Sequence, residues 1–251
     1  LLTQSNPIRV LHVDDDPDIL ELTAAFLERK SDRLKLESVS DAEGCLDQFD
    51  PECIDCVVSD LDMPGLDGLE LLDSIRSDHP RFPFILFTGK GTEEIASRAI
   101  GAGVTDYLQK GGPETFGVLA NRITNAVEQY RARHDLERFE LAVEHAGHAI
   151  YMTDPDGTIT YVNPVFESVT GYSETEAVGQ TPTLLNSGEQ DTEYFQRLWE
   201  TISNGDVWYE TVVNRRSNGD RYTALQTIAP IQQPANGIDG YVAIQQNISD
   251  Y

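Results

Sequence analysis

Residues 54–72 read IDCVVSDLDMPGLDGLELL. An apolar, β-branched run closes on a carboxylate, Asp60. A turn, MPGLDG, follows, and then a helix, LELLDSIRS. An apolar run of this kind reads as a strand covered on both faces. The same grammar repeats outward. Upstream, IRVLHV (8–13) is β-branched and apolar, and Pro17 to Lys30 reads as a helix with Ile19, Leu20, Leu22 and Phe26 on its apolar face. LKLESV (34–39) alternates as a half-buried strand does, and Asp41 caps a short helix to about Phe49. Downstream, FPFILFT (82–88) is apolar throughout, Thr92 to Ile100 is helical, and TDYLQ (105–109) is a short fifth strand. Strands alternating with helices predict an α/β doubly wound, five-stranded parallel sheet.

In such sheets ligands sit at the carboxyl ends of the strands. The polar residues at those ends have no packing explanation. The first strand ends in Asp14, Asp15 and Asp16, the third in Asp60 and the fourth in Thr88, while Lys110 follows the fifth. Clustered carboxylates repel one another unless a cation is near. Hard oxygen ligands suit Mg²⁺. A metal and a lysine beside a carboxylate suit an incoming phosphoryl group.

The segments VLHVDDDPDIL, VVSDLDMPGLDGLELL, FTGKG and DYLQKGG, in that order, resemble a response-regulator receiver of the flavodoxin-like fold over residues 8–130. The resemblance implies that Asp60 accepts a phosphoryl group from a histidine kinase. It implies that Asp14 and Asp15 hold Mg²⁺ together with Asp60, and that the Asp62 backbone carbonyl completes the metal site. Thr88 matches the hydroxyl that shifts onto the phosphoryl oxygens, Lys110 the lysine that pairs with them, and Tyr107 the switch aromatic. The plain alternative for Tyr107 is a half-buried strand residue. Receivers usually follow the lysine with a cis proline, whereas Gly111-Gly112 stand here. Lys90 reads as a solvated loop lysine or as a contact to the phosphoryl group. His134-Asp135-Leu136 resembles the phosphoacceptor of kinases, but no proline follows at the expected distance and no Gly-rich ATP-binding domain follows. His134 therefore reads as a surface residue, and no kinase or other enzymatic activity is expected.

From Pro113 to about Ala146 the pattern is one long amphipathic helix with a shift of phase. Leu119, Ile123, Ala126 and Tyr130 are followed by Leu136, Phe139 and Val143. It reads either as a coiled-coil linker, making a homodimer, or as a last receiver helix followed by a separate cap. The expected division is a receiver at 1–120, a linker at 121–137 and a second domain at 138–251. In that domain, AIYMTDPDGTITYVNPVFESVTGYSETEAVGQ and VNRRSNGDRYTALQTIAPI…GYVAIQQNISD resemble a PAS domain. The expected architecture is α+β, with a five-stranded antiparallel sheet and helices after its second strand. PAS pockets hold flavin, haem, a small metabolite or nothing. Pro182 stands where blue-light members carry the reactive cysteine, which excludes cysteine-adduct photochemistry. Asn214 and Gln245 match positions that hold a flavin ring, a third such position falls on Ala224, and Trp199 and Trp208 match flavin-binding redox sensors. In the alternative reading Asn214 bonds backbone, Gln245 faces solvent and both tryptophans are core. The closing NISD-Tyr resembles a domain end after which an output module often begins.

Composition narrows the class. There are 43 acidic and 18 basic residues, a net charge of −25, and lysine occurs only at Lys30, Lys35, Lys90 and Lys110. That field repels DNA, and an acidic, lysine-poor surface resembles proteins of salt-accumulating, halophilic organisms. No apolar run approaches the ~20 residues that cross a bilayer, so a cytoplasmic location without membrane contact is expected. Cys53-x-x-Cys56 has redox-motif spacing, but Cys56 leads a buried strand and reads as a core thiol.

Overall fold

The computed structural model describes residues 6–89, 91, 93–233 and 237–249. Lys90 lies outside them. The chain forms two compact units, Leu1–Asp135 and Leu136–Tyr251.

In the first unit β1 (Ile8–Val13), β2 (Leu34–Val39), β3 (Cys56–Ser59), β4 (Phe84–Thr88) and β5 (Asp106–Gln109) form a parallel sheet in the order β2-β1-β3-β4-β5. Helices α1 (Pro17–Lys30), α2 (Ala42–Gln48), α3 (Gly68–Asp78) and α4 (Glu93–Gly101) connect them. The sheet separates two apolar layers. Leu11, Val13, Val57 and Leu86 pack with Leu71, Leu72 and Ile75 of α3 on one side. Ile8, Val10, Val58, Ile85 and Phe87 pack with Leu27 of α1 and with Phe116, Leu119 and Ile123 on the other. Neighbouring residues of one strand thus serve opposite cores, which is why the strands read as unbroken apolar runs. In α1 the buried face is centred on Thr23 and Leu27, and Leu22, expected on that face, is 42% exposed. One residue is about 100° of helix, enough to turn a side chain from core to water.

Helix α5 (Pro113–Glu144) is continuous over 32 residues. Its buried side chains end at Val127, and Leu136, Phe139 and Leu141 are exposed.

The second unit holds β6 (Ala149–Thr153), β7 (Ile159–Val162), β8 (Trp208–Arg215), β9 (Arg221–Gln233) and β10 (Gly237–Asn247), all antiparallel in the order β7-β6-β10-β9-β8. Helices α6 (Pro164–Thr170), α7 (Glu174–Ala177) and α8 (Thr192–Ser203), with a 3₁₀ turn at Pro182–Leu185, lie between β7 and β8. Asn163 caps α6 from a fully buried position. Its carbonyl oxygen accepts from the Ile150 and Phe166 amides, and its amide donates to the Val143 and His148 carbonyls. The full bonding capacity of the side chain, two lone pairs and two N–H donors, is used.

Candidate functional site

The carboxyl edge of the first sheet gathers the polar strand ends. The Asp60 amide donates to the Val13 carbonyl at 2.8 Å, and the Lys110 amide donates to Thr88 at 2.8 Å. These backbone bonds carry the strand register one residue past the sheet, so the side chains that follow converge. Asp14 is fully buried, Asp60 is 8% exposed and Thr88 1%. Carboxylate oxygens of Asp14, Asp15 and Asp60 lie within 4.8 Å of one another. The Lys110 ammonium donates to Asp14 Oδ2 at 2.6 Å and stands 3.4 Å from Asp60 Oδ2. Asp60 Oδ1 is buried with no partner among the described residues. A bare carboxylate oxygen in such a place is costly. Its fit to a cation is direct: hard oxygens converge, and one of them is unsatisfied.

The surroundings hold this edge in place. Gly68 begins α3 so close to the phosphoacceptor candidate that a Cβ there would lie 2.2 Å from the Asp60 carbonyl oxygen. Only a hydrogen fits, and the approach lets the Gly68 amide bond Leu61 at 2.9 Å. Asp67 caps the same helix with Glu70 in a capping box. Burial pushes the Asp14 carboxyl above its ordinary range, against the pull of Lys110. Below it on β1, His12 is fully buried, with both ring nitrogens unpartnered among the described residues. Burial, and then the Lys110 charge, lower its pKa to about 3, so the ring is neutral. Nothing in the motif pattern singled out His12.

The structure places Asp62 exposed in the turn after Asp60. Tyr107 is half-buried and packs against the α3-side core, with burial raising its pKa. Arg122 of α5 pairs with Asp106 and donates to the Tyr107 carbonyl at 3.2 Å. No peptide bond is cis among the described residues, the Lys110-Gly111 junction included. His134 is exposed. Cys56 is buried, Cys53 is exposed and both are free thiols.

The second unit encloses a cavity of about 280 Å³ between its sheet and α8. Asn214 and Gln245 both line it, 5% and 1% exposed. Neither of their bland readings holds: Gln245 is turned away from solvent, and the Asn214 side chain bonds the Tyr222 hydroxyl at 3.4 Å. Trp199 stands at the cavity with 42% of its surface exposed, while Trp208 is core. Tyr222 and Gln226, which the sequence reading passed over, complete a buried polar cluster with Asn214 and Gln245.

Residues 10–123 match the response regulator receiver domain, and residues 147–250 match the PAS domain. The chain is 25% identical to the bacterioopsin transcriptional activator of Halobacterium salinarum, over 97% of this chain and 38% of that protein. It is 32% identical to a nitrogen fixation regulatory protein of Klebsiella pneumoniae over 53% of this chain and 27% of that one. The transcriptional regulatory protein FixJ of Bradyrhizobium diazoefficiens is 35% identical over 47% of this chain and 55% of its own. The chain therefore spans well under two thirds of these relatives.

Proposed function

We propose, for a chain made of a response regulator receiver domain followed by a PAS domain, that Asp60 is the phosphoryl acceptor of a two-component relay. A phosphohistidine on a partner kinase is the donor. The Asp60 carboxylate attacks phosphorus, the phosphorus–nitrogen bond breaks, and an acyl phosphate forms on aspartate. The observation that carries this reading is the buried, unpartnered Asp60 Oδ1 beside the Lys110 ammonium.

Asp14, Asp15, Asp60 and the Asp62 carbonyl are the groups that would hold Mg²⁺, which would neutralise charge on the phosphoryl oxygens. Lys110 offers the second positive charge. The new phosphoryl group adds negative charge at this edge, and the Thr88 hydroxyl moves to it as a donor. Tyr107 then fills the space that Thr88 leaves. The receiver at 1–120 passes this change through residues 121–137, with self-association through α5 or the PAS domain. Two of these relatives, the bacterioopsin activator and FixJ, are named for transcription, and control of transcription is the output we assign. Incubation with acetyl phosphate and Mg²⁺ tests the acceptor: one phosphoryl group is gained, it is labile to hydroxylamine, and Asp60→Asn abolishes it. Phosphorylation of Asp60→Asn to the same extent refutes the assignment.

A second reading gives the PAS domain the input role, with flavin as its ligand. Asn214 and Gln245 in one cavity support it. The amides fit the edge of a flavin ring. The phosphate of a flavin nucleotide finds no cation, because the only charged side chain among the described lining residues is Asp156. An absorbance spectrum of the purified chain tests this reading: a flavin band supports it.

A further inference from the structure

We infer that the cavity of the second unit takes a small organic cation, an alkylated ammonium ion with one short hydroxyl-bearing arm. The inference rests on reading this cavity as a ligand site. It gives the site another class of ligand than the flavin of the second reading, and it is independent of chemistry at Asp60.

The charge of the site comes from one side chain. Asp156 is the only charged residue among the described lining residues. It sits exposed in the turn between β6 and β7, and its carboxylate has no partner among the described residues. The chain's net charge of −25 gathers cations around it and turns anions away. A metal ion is a poor match, because hard cations need several oxygen ligands and a single carboxylate stands here among rings.

The rings supply the rest. Phe195 and Trp199 stand one turn apart on α8, and both line the cavity. Tyr241 of β10 meets Trp199 edge to face, with ring centroids 5.8 Å apart at 85°. Two rings at right angles leave a corner walled by π electrons, and such a corner attracts an ammonium group. The β6–β7 turn brings the carboxylate to the same end of the cavity. Gly157 adopts φ +88°, and a Cβ there would lie 3.1 Å from the Trp199 ring, so the residue after Asp156 rests against the indole. Core packing does not account for Trp199. It keeps 42% of its surface exposed, whereas Trp208 keeps 6%. Arg197 of the same helix lies over Trp208 at 5.7 Å, and no cation lies over Trp199 among the described residues.

A hydroxyl waits beside this corner. Thr153 pairs directly with Tyr241 across the β6–β10 ladder, and cross-strand partners stand side by side. Its hydroxyl lines the cavity, on a residue 7% exposed, and is buried with no partner among the described residues. An orphaned hydroxyl is answered by a hydrogen-bonding group, and a short arm on the ammonium brings one. The amides of Asn214, Gln226 and Gln245 make a neutral floor that offers the ammonium head no charge, which leaves the head to the rings and Asp156. Alkyl groups on the nitrogen suit that place, since they have no N–H bonds to water to give up.

Choline is the probe. Calorimetric titration of the full 251-residue chain at pH 7.5 is expected to show saturable binding. Its neutral isostere, in which a tert-butyl group replaces the trimethylammonium group, is expected to bind at least about tenfold more weakly. Trp199→Leu is expected to weaken choline by roughly tenfold with the thermal midpoint little changed. Asp156→Asn, at an exposed turn position, guards against misfolding. It is expected to weaken choline by about threefold, an effect that shrinks as salt is added. Absence of saturable choline binding refutes the inference, and flavin retained by the purified chain then gives the cavity to the second reading. Equal affinity for the neutral isostere refutes recognition of charge, and unchanged choline affinity in both variants refutes recognition by the ring corner and its carboxylate. Phosphoryl transfer to Asp60 is measured separately and stands or falls without these results.

Discussion

The acidic edge of the first unit and the amide floor of the second are both polar clusters in apolar surroundings, and they are built in opposite ways. The edge uses residues that follow strands, where the backbone leaves the sheet and side chains need not alternate. It concentrates charge and leaves Asp60 Oδ1 bare. The floor uses residues within strands, aimed by alternation and register, and it carries no formal charge. A charged, under-satisfied cluster draws a cation and a charged reactant. A neutral cluster whose members bond one another offers a guest no charge to pair with. Burial is similar in the two, so charge and satisfaction set what each can hold.

The comparison can be broken most decisively at Asp60. Asp60→Asn keeps shape but removes the nucleophile, and loss of all phosphoryl incorporation is expected, measured by mass. A smaller effect is expected at His12. Its pKa is about 3 in the fold against 6.5 in the open chain, so the unfolded chain binds the proton first as pH falls. The stability it contributes is present above pH 6.5 and is lost toward pH 3. With chelator present, denaturant titrations should show stability falling by roughly 1 kcal/mol per pH unit through that window. His12→Leu should remove that part of the slope; an unchanged slope would place the acid sensitivity elsewhere. Next comes Gly68→Ala. Its Cβ would meet the Asp60 carbonyl at 2.2 Å, and a loss of about 1–3 kcal/mol is expected in chemical unfolding. Smallest is Glu128→Gln, which breaks the half-exposed pair with Arg33. Less than about 1 kcal/mol should be lost, shrinking further in high salt.

The two sites were unequally legible. Asp14, Asp60, Thr88 and Lys110 interrupt or follow apolar runs, so a reader of the sequence sees each as unexplained by packing. The parallel-sheet rule then says they share an edge. Tyr222 and Gln226 give no such signal. Strand β9 reads RYTALQTIAPI, with polar residues on both faces: Thr223 and Thr227 alternate with Tyr222 and Gln226. Periodicity cannot say which set turns inward. The answer lies in register with β8 and β10, whose partners are fixed by tertiary pairing. His12 was hidden for another reason. It sits in an apolar strand where one polar residue reads as tolerated variation, and only burial exposes its cost. The outward turn of Leu22 shows the same limit for helices, since apolar spacing left the α1 stripe uncertain by one residue.

The Lys110–Asp14 contact sets the charge that an ion would meet at this edge. Three carboxylates, of Asp14, Asp15 and Asp60, share the site with one ammonium. Two negative charges are left over, which a single divalent ion would cancel and a single monovalent ion would only halve. The tethered lysine would thus match the cleft to the valence of its occupant.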